Sequence, residues 1–337
     1  MGKELNDKYV SIIILTKNKV RTLSKTLLHY SNNRFKGRVI IGSIGTKKSF
    51  QAIQKFCGSM PFKTTVVQLD PTNNLHAGQA IFNLHPRIQT PFVVYSKDDD
   101  IFMIKGIQDC IDYLKHNRDY TAAGGLSVTH LQCGNFSGSL YSSCLDLTSN
   151  YQPDRLRDYF RSKSSITQYV YRTSTWNKMF QFSHMIPDKW IGSEILPSCI
   201  SVLSGKIKDI SRKNTVAVTV VKQEKDSLWD DKINFVDIIT SPDYAISFQL
   251  LKTIILKYLR KAGLNEDEAI QFYRTEIWTF LLTTLLHKFV EQFPSMYDSL
   301  ELYLKQLNNY PFHLKRDSLP STIIDSNKFT YMLKERT

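Results

Sequence analysis

Apolar residues along the first two hundred positions fall into short blocks separated by polar punctuation. Ser11-Ile12-Ile13-Ile14-Leu15-Thr16 is an unbroken β-branched run after a polar leader, and such runs predict a buried strand. It breaks at Thr16-Lys17-Asn18-Lys19, and Val20, Leu23, Leu27 and Leu28 then recur at helical spacing up to Tyr30. The alternation continues with a strand at Val39–Ile44, a short helix at Phe50–Phe56 and a strand at Thr64–Leu69 that ends at the Asp70-Pro71 turn. Asn74–Leu84 is a helix candidate, with Gly78 and Ala80 allowing close approach. Pro91-Phe92-Val93-Val94-Tyr95 is the next buried strand. Strands alternating with helices argue an α/β fold with a mostly parallel sheet.

Further on, Ile104, Ile107, Ile111 and Leu114 define a helical face, and Tyr120–Leu126 reads as a strand broken by glycine. From His130 to Lys163 the chain is rich in Ser, Gly, Asn, Asp and Tyr with little period, which predicts a long functional loop or lid. Thr167–Arg172 is a strand, Thr175–Phe182 a short helix, Ile195–Leu203 an apolar helix and Val216–Val221 a last strong strand. Ser193 and Glu194 stand where that apolar helix would have a cap and a first-turn carboxylate. After a charged linker at Glu224–Lys232 the tail becomes helical. Ala245–Leu259 is amphipathic, and Trp278, Leu281, Leu282, Leu285, Leu286 and Phe289 form one wide apolar face, continued by Tyr297–Leu307. The pattern divides the chain into an α/β domain, 1–222, and a helical domain, 223–337.

The densest chemistry lies where the fourth strand runs into Asp98-Asp99-Asp100-Ile101-Phe102. Adjacent carboxylates repel, so holding three together at a strand's carboxyl end calls for a compensating cation. Oxygen ligands of this kind suit Mg²⁺ or Mn²⁺, which keep several waters and are shared with substrate phosphates. In open α/β sheets that strand edge is where ligands bind.

Composition narrows the partners. The 337 residues are 42% hydrophobic and 22% charged, ordinary for a globular protein, but the net charge is +13. The basic residues form no run of five or more, so a nucleic-acid-binding arm is not expected. A diffuse positive field favours phosphates, acidic polymers or an anionic membrane face. The five cysteines show no CxxC pair and no zinc spacing, which fits reduced thiols in a cytoplasmic protein. The opening residues lack the apolar core of a signal peptide, and no stretch approaches the roughly 20 apolar residues of a membrane span. The protein is expected in the cytoplasm, at most peripheral to the inner face of a membrane. There is neither a G-x-G-x-x-G nor a Walker pattern, no G-x-S-x-G elbow and no H-E-x-x-H pair. Dinucleotide oxidoreductases, P-loop enzymes, α/β-hydrolases and zincins are thereby disfavoured.

Taken in order, Ser11 to Asn18, Val93-Val94-Tyr95-Ser96-Lys97-Asp98-Asp99-Asp100-Ile101-Phe102 and Trp190-Ile191-Gly192-Ser193-Glu194 resemble the opening strand and loop, the Asp-x-Asp strand and the base-bearing turn of GT-A nucleotide-sugar glycosyltransferases, particularly the inverting family-two type. The resemblance covers about residues 8 to 222. It implies a Rossmann-like sheet and transfer of a sugar, with UDP the expected carrier, to the hydroxyl of a glycan, glycolipid or other acceptor. Residue by residue it implies that Asp98 contacts ribose or a metal-bound water, and that Asp99 or Asp100 ligates Mn²⁺ or Mg²⁺. Thr16, Asn18 and Arg21 would lie near the nucleoside and phosphates, Asn74 near the base or ribose, and Glu194 would be the general base. Family members carry an aspartate after the second strand, whereas this chain has Gly42-Ser43-Ile44-Gly45, leaving Ser43 to meet the base. Tyr141, Tyr151 and Trp190 are candidate sugar-stacking surfaces, and the aromatic segment Gly134–Tyr159 is a candidate cover for the acceptor. The helical tail is an expected oligomerisation or membrane-facing module. Two rivals remain. A sugar-phosphate nucleotidyltransferase would need a glycine-rich, Arg-containing loop where this chain has Thr16-Lys17-Asn18-Lys19. A non-catalytic nucleotide- or glycan-binding module would make Glu194 dispensable.

Overall fold

A computed structural model of the chain describes residues 9–70, 75–133, 136–142, 145–162, 166–210, 215–222, 241–281 and 284. The first half runs β1 (Val10–Thr16), α1 (Val20–Asn32), β2 (Arg38–Ile44), α2 (Lys47–Cys57), β3 (Lys63–Leu69), α3 (Ala77–Leu84), β4 (Phe92–Lys97), β5 (Asp100–Phe102), α4 (Ile104–His116) and β6 (Tyr120–Gly124). It continues with β7 (Leu126–Cys133), β8 (Phe136–Ser142), α5 (Gln152–Ser162), β9 (Val170–Arg172) and α6 (Thr173–Phe180). A π-helical turn (Ile191–Ile195) leads into α7 (Leu196–Ser204), followed by β10 (Lys206–Asp209), β11 (Thr215–Lys222), α8 (Pro242–Lys261) and α9 (Glu266–Phe272).

Seven strands form the main sheet in the order β10-β6-β9-β4-β1-β2-β3. β4, β1, β2 and β3 are mutually parallel, β10 is parallel to β6, and β9 runs antiparallel to both its neighbours. The run Val10–Leu15 has no apolar/polar alternation because both faces of β1 are covered. On one face Leu23, Leu27 and Tyr30 of α1, Ile53 of α2 and Ile107, Ile111 and Leu114 of α4 pack on Ile12, Ile14, Val39, Ile41 and Val94. On the other, α3 lies against β1 and β2, α6 against β4 and α7 against β6. The register aligns Thr16 with Ser43 and Leu15 with Lys97, so β1, β2 and β4 end at a common edge.

Two expectations are corrected. Tyr120–Leu126 is not one strand: β6 belongs to the main sheet, whereas β7 enters a second, four-stranded sheet ordered β5-β11-β7-β8. The chain changes sheets at Gly124, where the Tyr169 ring lies so close that a Cβ would meet it at 2.8 Å. Nor is His130–Lys163 a long irregular loop, because it holds the rest of β7, then β8 and α5. The pairing of β7 with β11 joins segments far apart in sequence, which a local reading cannot detect. Helix α5 buries Leu156, Tyr159 and Phe160. Tyr159 is therefore core rather than part of a mobile cover.

The chain divides into compact units Met1–Phe280 and Leu281–Thr337. Within the first, amphipathic α8 buries Tyr244, Ser247, Leu251, Ile255 and Leu259 and lies against α7 and the π-helical turn before it. Most of the second unit, including Leu282, Leu285, Leu286, Phe289 and Tyr297–Leu307, lies outside the described residues, as does the Glu224–Lys232 linker. Cys57, Cys110 and Cys199 are buried. Among the described residues no helix is long and apolar enough to cross a membrane.

Candidate functional site

The aspartate run sits where β4 ends at the common strand edge. The chain turns at Asp98-Asp99 and re-enters extended structure at Asp100. Asp98 is 2% exposed and Asp100 is fully buried, while Asp99 is half-buried. Three carboxylates are tolerated here because donors reach two of them. Thr16 Oγ1, at the end of β1, donates to Asp98 Oδ2 at 2.8 Å. Asp100 Oδ2 accepts from the Lys97 amide at 3.2 Å and from Gln168 Nε2 at 2.6 Å. The turn's backbone is tied as well: Thr26 Oγ1 of α1 donates to the Asp98 carbonyl at 2.8 Å, and the Phe102 amide donates to Tyr30 Oη at 3.4 Å.

The remaining cost appears in the titration of Asp98. Burial, with the neighbouring charges of Asp99 and Asp100, pushes its pKa up to about 6 against the hydrogen bond from Thr16 and the charge of Lys19. The same three carboxylates, added to burial, raise the Tyr95 hydroxyl further above its ordinary value.

Among the described residues no group of three His, Cys, Asp or Glu side chains could cage a metal. A cation shared with a diphosphate needs only one or two carboxylates, however, because waters and phosphate oxygens complete its shell. The aspartate turn fits that second type. Half-buried Asp99 is the carboxylate least committed to the protein interior, and Asp100 stands beside it with its orientation set by Gln168.

The loop after β1 is positioned by Asn18. It takes the left-handed conformation (φ 59°), and its Oδ1 accepts from the Thr46 amide at 3.0 Å. Thr46 in turn caps α2 through the Ser49 amide. Asn18 therefore packs the β1–α1 loop onto Gly45, where a Cβ would collide with its side chain. Arg21 is exposed on the first turn of α1. Ser43 is fully buried between Thr16 and Gln68 in the sheet register, with no hydrogen-bond partner for its hydroxyl. Asn74 lies outside the described residues.

Glu194 is placed by separate contacts. It lies half-buried in the π-helical turn that leads into α7, and its charge is felt by the buried Tyr159 hydroxyl. Ser193 is not this helix's cap. That role falls to Asp188, whose Oδ1 accepts from the Ile191 amide at 2.8 Å. Pro197 explains the wide turn: it has no N–H to return to the Ser193 carbonyl, so the α ladder is interrupted there. π-turns of this kind are frequent at functional sites.

The Ser193 hydroxyl instead meets α3. It lies 2.9 Å from His76 Nδ1 and accepts from the Gly78 amide at 2.9 Å. Trp190 is half-buried and Tyr151 is 46% exposed, so both retain surface for a ligand. The Tyr141 side chain lies outside the described residues.

The structure thus brings Thr16, Asp98, Asp99 and Asp100 to one strand edge and places Glu194 on the layer built from α3, α7 and α8. Four supporting residues escaped the sequence reading: Thr26, His76, Gln168 and Asp188. Thr26 had a signal, as a polar residue on the inward face with Leu23, Leu27 and Tyr30. His76 had a weaker one, Gln79 three residues on in capping-box spacing. The Pro187-Asp188 pair carried a cap signal of its own.

No protein-family model and no curated protein matches the chain. Solved structures of S. aureus TarS are similar in fold. The structure of TarS 1-349 in complex with UDP-GlcNAc superposes at TM-score 0.53 and 14% identity, over 84% of this chain and 73% of that one. TarS 1-349 alone matches at TM-score 0.49 and 12% identity, over 94% of this chain and 78% of that one. The chain spans 43% of the longer TarS chain. The α/β, GT-A-type architecture expected from the sequence is the fold observed.

Proposed function

We propose that the chain is a nucleotide-sugar glycosyltransferase that moves a sugar from a nucleoside diphosphate, with UDP the expected carrier, to an acceptor hydroxyl. The observation that carries the reading is the aspartate turn at the carboxyl edge of β4, in a fold shared with a protein crystallised with UDP-GlcNAc. Thr16, Asn18, Arg21, Ser43 and Asn74 form the donor side of the proposal, with Asp98 beside the ribose or a metal-bound water.

Asp99 and Asp100 would hold Mn²⁺ or Mg²⁺, which when bound offsets the negative charge that develops on a departing diphosphate. Gln168 and the Lys97 amide keep Asp100 oriented, and Thr16 holds Asp98. Glu194 would take the proton of the attacking hydroxyl, and attack from the face opposite the leaving group would invert the anomeric centre. The net charge of +13 favours an acidic or membrane-bound acceptor, such as a glycolipid or an anionic glycan intermediate. Under this reading the helices after residue 222 serve self-association or contact with a membrane surface.

Calorimetric titration of UDP, GDP and CMP into the protein, with Mn²⁺ and with EDTA, tests the reading. Metal-dependent binding of one nucleotide, lost in Asp99→Ala, is expected. Absence of nucleotide binding under every condition would overturn it and leave the aspartates as a buried structural turn.

A further inference from the structure

We propose that His76 and Ser193 are positioning residues: their side-chain bridge locks the turn that carries Glu194 onto the first turn of α3. The inference rests on Glu194 being the general base.

The chemistry of the bridge is set by the imidazole's two nitrogens. Nε2 lies 2.7 Å from the Ile186 carbonyl, which can only accept, so Nε2 carries the hydrogen. Nδ1 is then an acceptor, taking the amide hydrogens of Gly78 at 3.1 Å and Gln79 at 3.4 Å. The Ser193 hydroxyl therefore donates to Nδ1 at 2.9 Å, and the single Gly78 amide hydrogen is shared between Nδ1 and the Ser193 Oγ, the latter at 2.9 Å. One ring and one hydroxyl thus join segments 117 positions apart. His76 is 5% exposed, and burial holds its pKa below the ordinary histidine value, against the hydrogen bond to Ile186. The neutral ring that this pattern requires is the form present at neutral pH.

Two glycines make the approach possible. A Cβ on Gly78 would collide with the Gly192 carbonyl, and one on Gly192 would stand 2.6 Å from His76 Cε1. The Gly192 carbonyl also accepts from Ser183 Oγ at 2.9 Å. The start of the same turn is pinned from α8, whose Ser247 Oγ accepts from the Asp188 amide at 2.8 Å. The turn is thus held from two helices at the place where its own ladder is widened. A general base misplaced by about 1 Å can lose on the order of 100-fold in rate, so a carboxylate on such a turn needs outside support. The bridge reaches the residue immediately before it.

Ser193→Ala removes the bridge and leaves the His76–Ile186 and α3 capping bonds intact, and Ser193→Thr restores the hydroxyl. With UDP-GlcNAc and Mn²⁺ as the probe, UDP release is expected to fall about ten-fold in kcat for Ser193→Ala and to recover in Ser193→Thr. The donor KM and the UDP Kd should stay within about two-fold. Amide hydrogen exchange over residues 188–196 should quicken in Ser193→Ala and return in Ser193→Thr.

Loss of turnover in Glu194→Gln with an unchanged Ser193→Ala would overturn the positioning role while sparing the base. Wild-type turnover in Glu194→Gln would overturn the base assignment and the positioning role with it. If the wild-type protein releases no UDP, exchange decides: unchanged protection in Ser193→Ala overturns the bridge.

Discussion

The two acidic turns differ in how they are held. The aspartate turn is supported where strand and helix ends converge, by short polar side chains of β1 and α1 and by Gln168 just before β9. The glutamate turn is supported by a histidine, a serine and a pair of glycines whose partners are remote in sequence. In the first, buried charge is the liability and hydrogen bonds offset it. In the second, the liability is a π-turn opened by Pro197, and close backbone packing offsets it. Charge was tuned at one turn and geometry at the other. The two should therefore fail differently.

The largest separation should come from chemistry. Glu194→Gln is expected to lower turnover by about 10²- to 10⁴-fold while nucleotide affinity stays unchanged. Asp99→Ala should instead abolish the metal-dependent part of nucleotide binding. Steady-state rates and calorimetry on the two variants check this, and equal effects on both quantities would erase the distinction.

Next comes packing. An exposed helical glycine usually tolerates alanine, but Gly78→Ala should cost about 3 kcal/mol because its methyl meets the Gly192 backbone. Urea unfolding would read the loss, and a neutral result would mean the two segments are not pressed together.

Asp98→Asn should move stability the other way. A folded pKa of about 6, above the usual carboxylate range, means the folded state disfavours the charge. That cost is absent below pH ~4, grows as pH rises to about 6 and stays above it. With EDTA present at pH 7.5, the uncharged variant should be more stable by about 2 kcal/mol, even as donor binding is lost.

The smallest effect at neutral pH belongs to His85, which packs edge-on against Phe82 and Phe180. Burial lowers its pKa to about 4, and its Nε2 is buried with no partner. Its folded pKa lies below the unfolded value, so its share of stability is complete above pH ~6.5 and is lost as pH falls toward 4. His85→Gln should flatten the acid limb of a thermal-melting pH series by up to about 1.4 kcal/mol per pH unit, and leave pH 7.5 nearly unchanged. An unaltered acid limb would show that the ring is solvated.

Much of this architecture was written in local pattern. The unbroken apolar runs of β1, β2 and β4 marked buried strands, and the helical spacing of Val20, Leu23, Leu27 and Leu28 marked α1, although Leu28 proves exposed. Asp98 to Asp100 stood out because like charges rarely gather after a buried strand without a purpose. Those signals are carried by residues adjacent in sequence or one helical turn apart, so chain order alone exposes them. The same logic failed where partners are distant. Nothing near Leu126–Ser142 announces that β7 pairs with β11, and nothing near Glu194 announces His76. Gln168 and Asp100 likewise meet across 68 positions. Composition and period therefore determined β1 to β4, α1 to α4 and the carboxylates, but not β7, β8 or α5. Only the folded chain decided which donors those carboxylates face, because hydrogen bonds and close contacts between remote segments exist only once the sheet has brought them together.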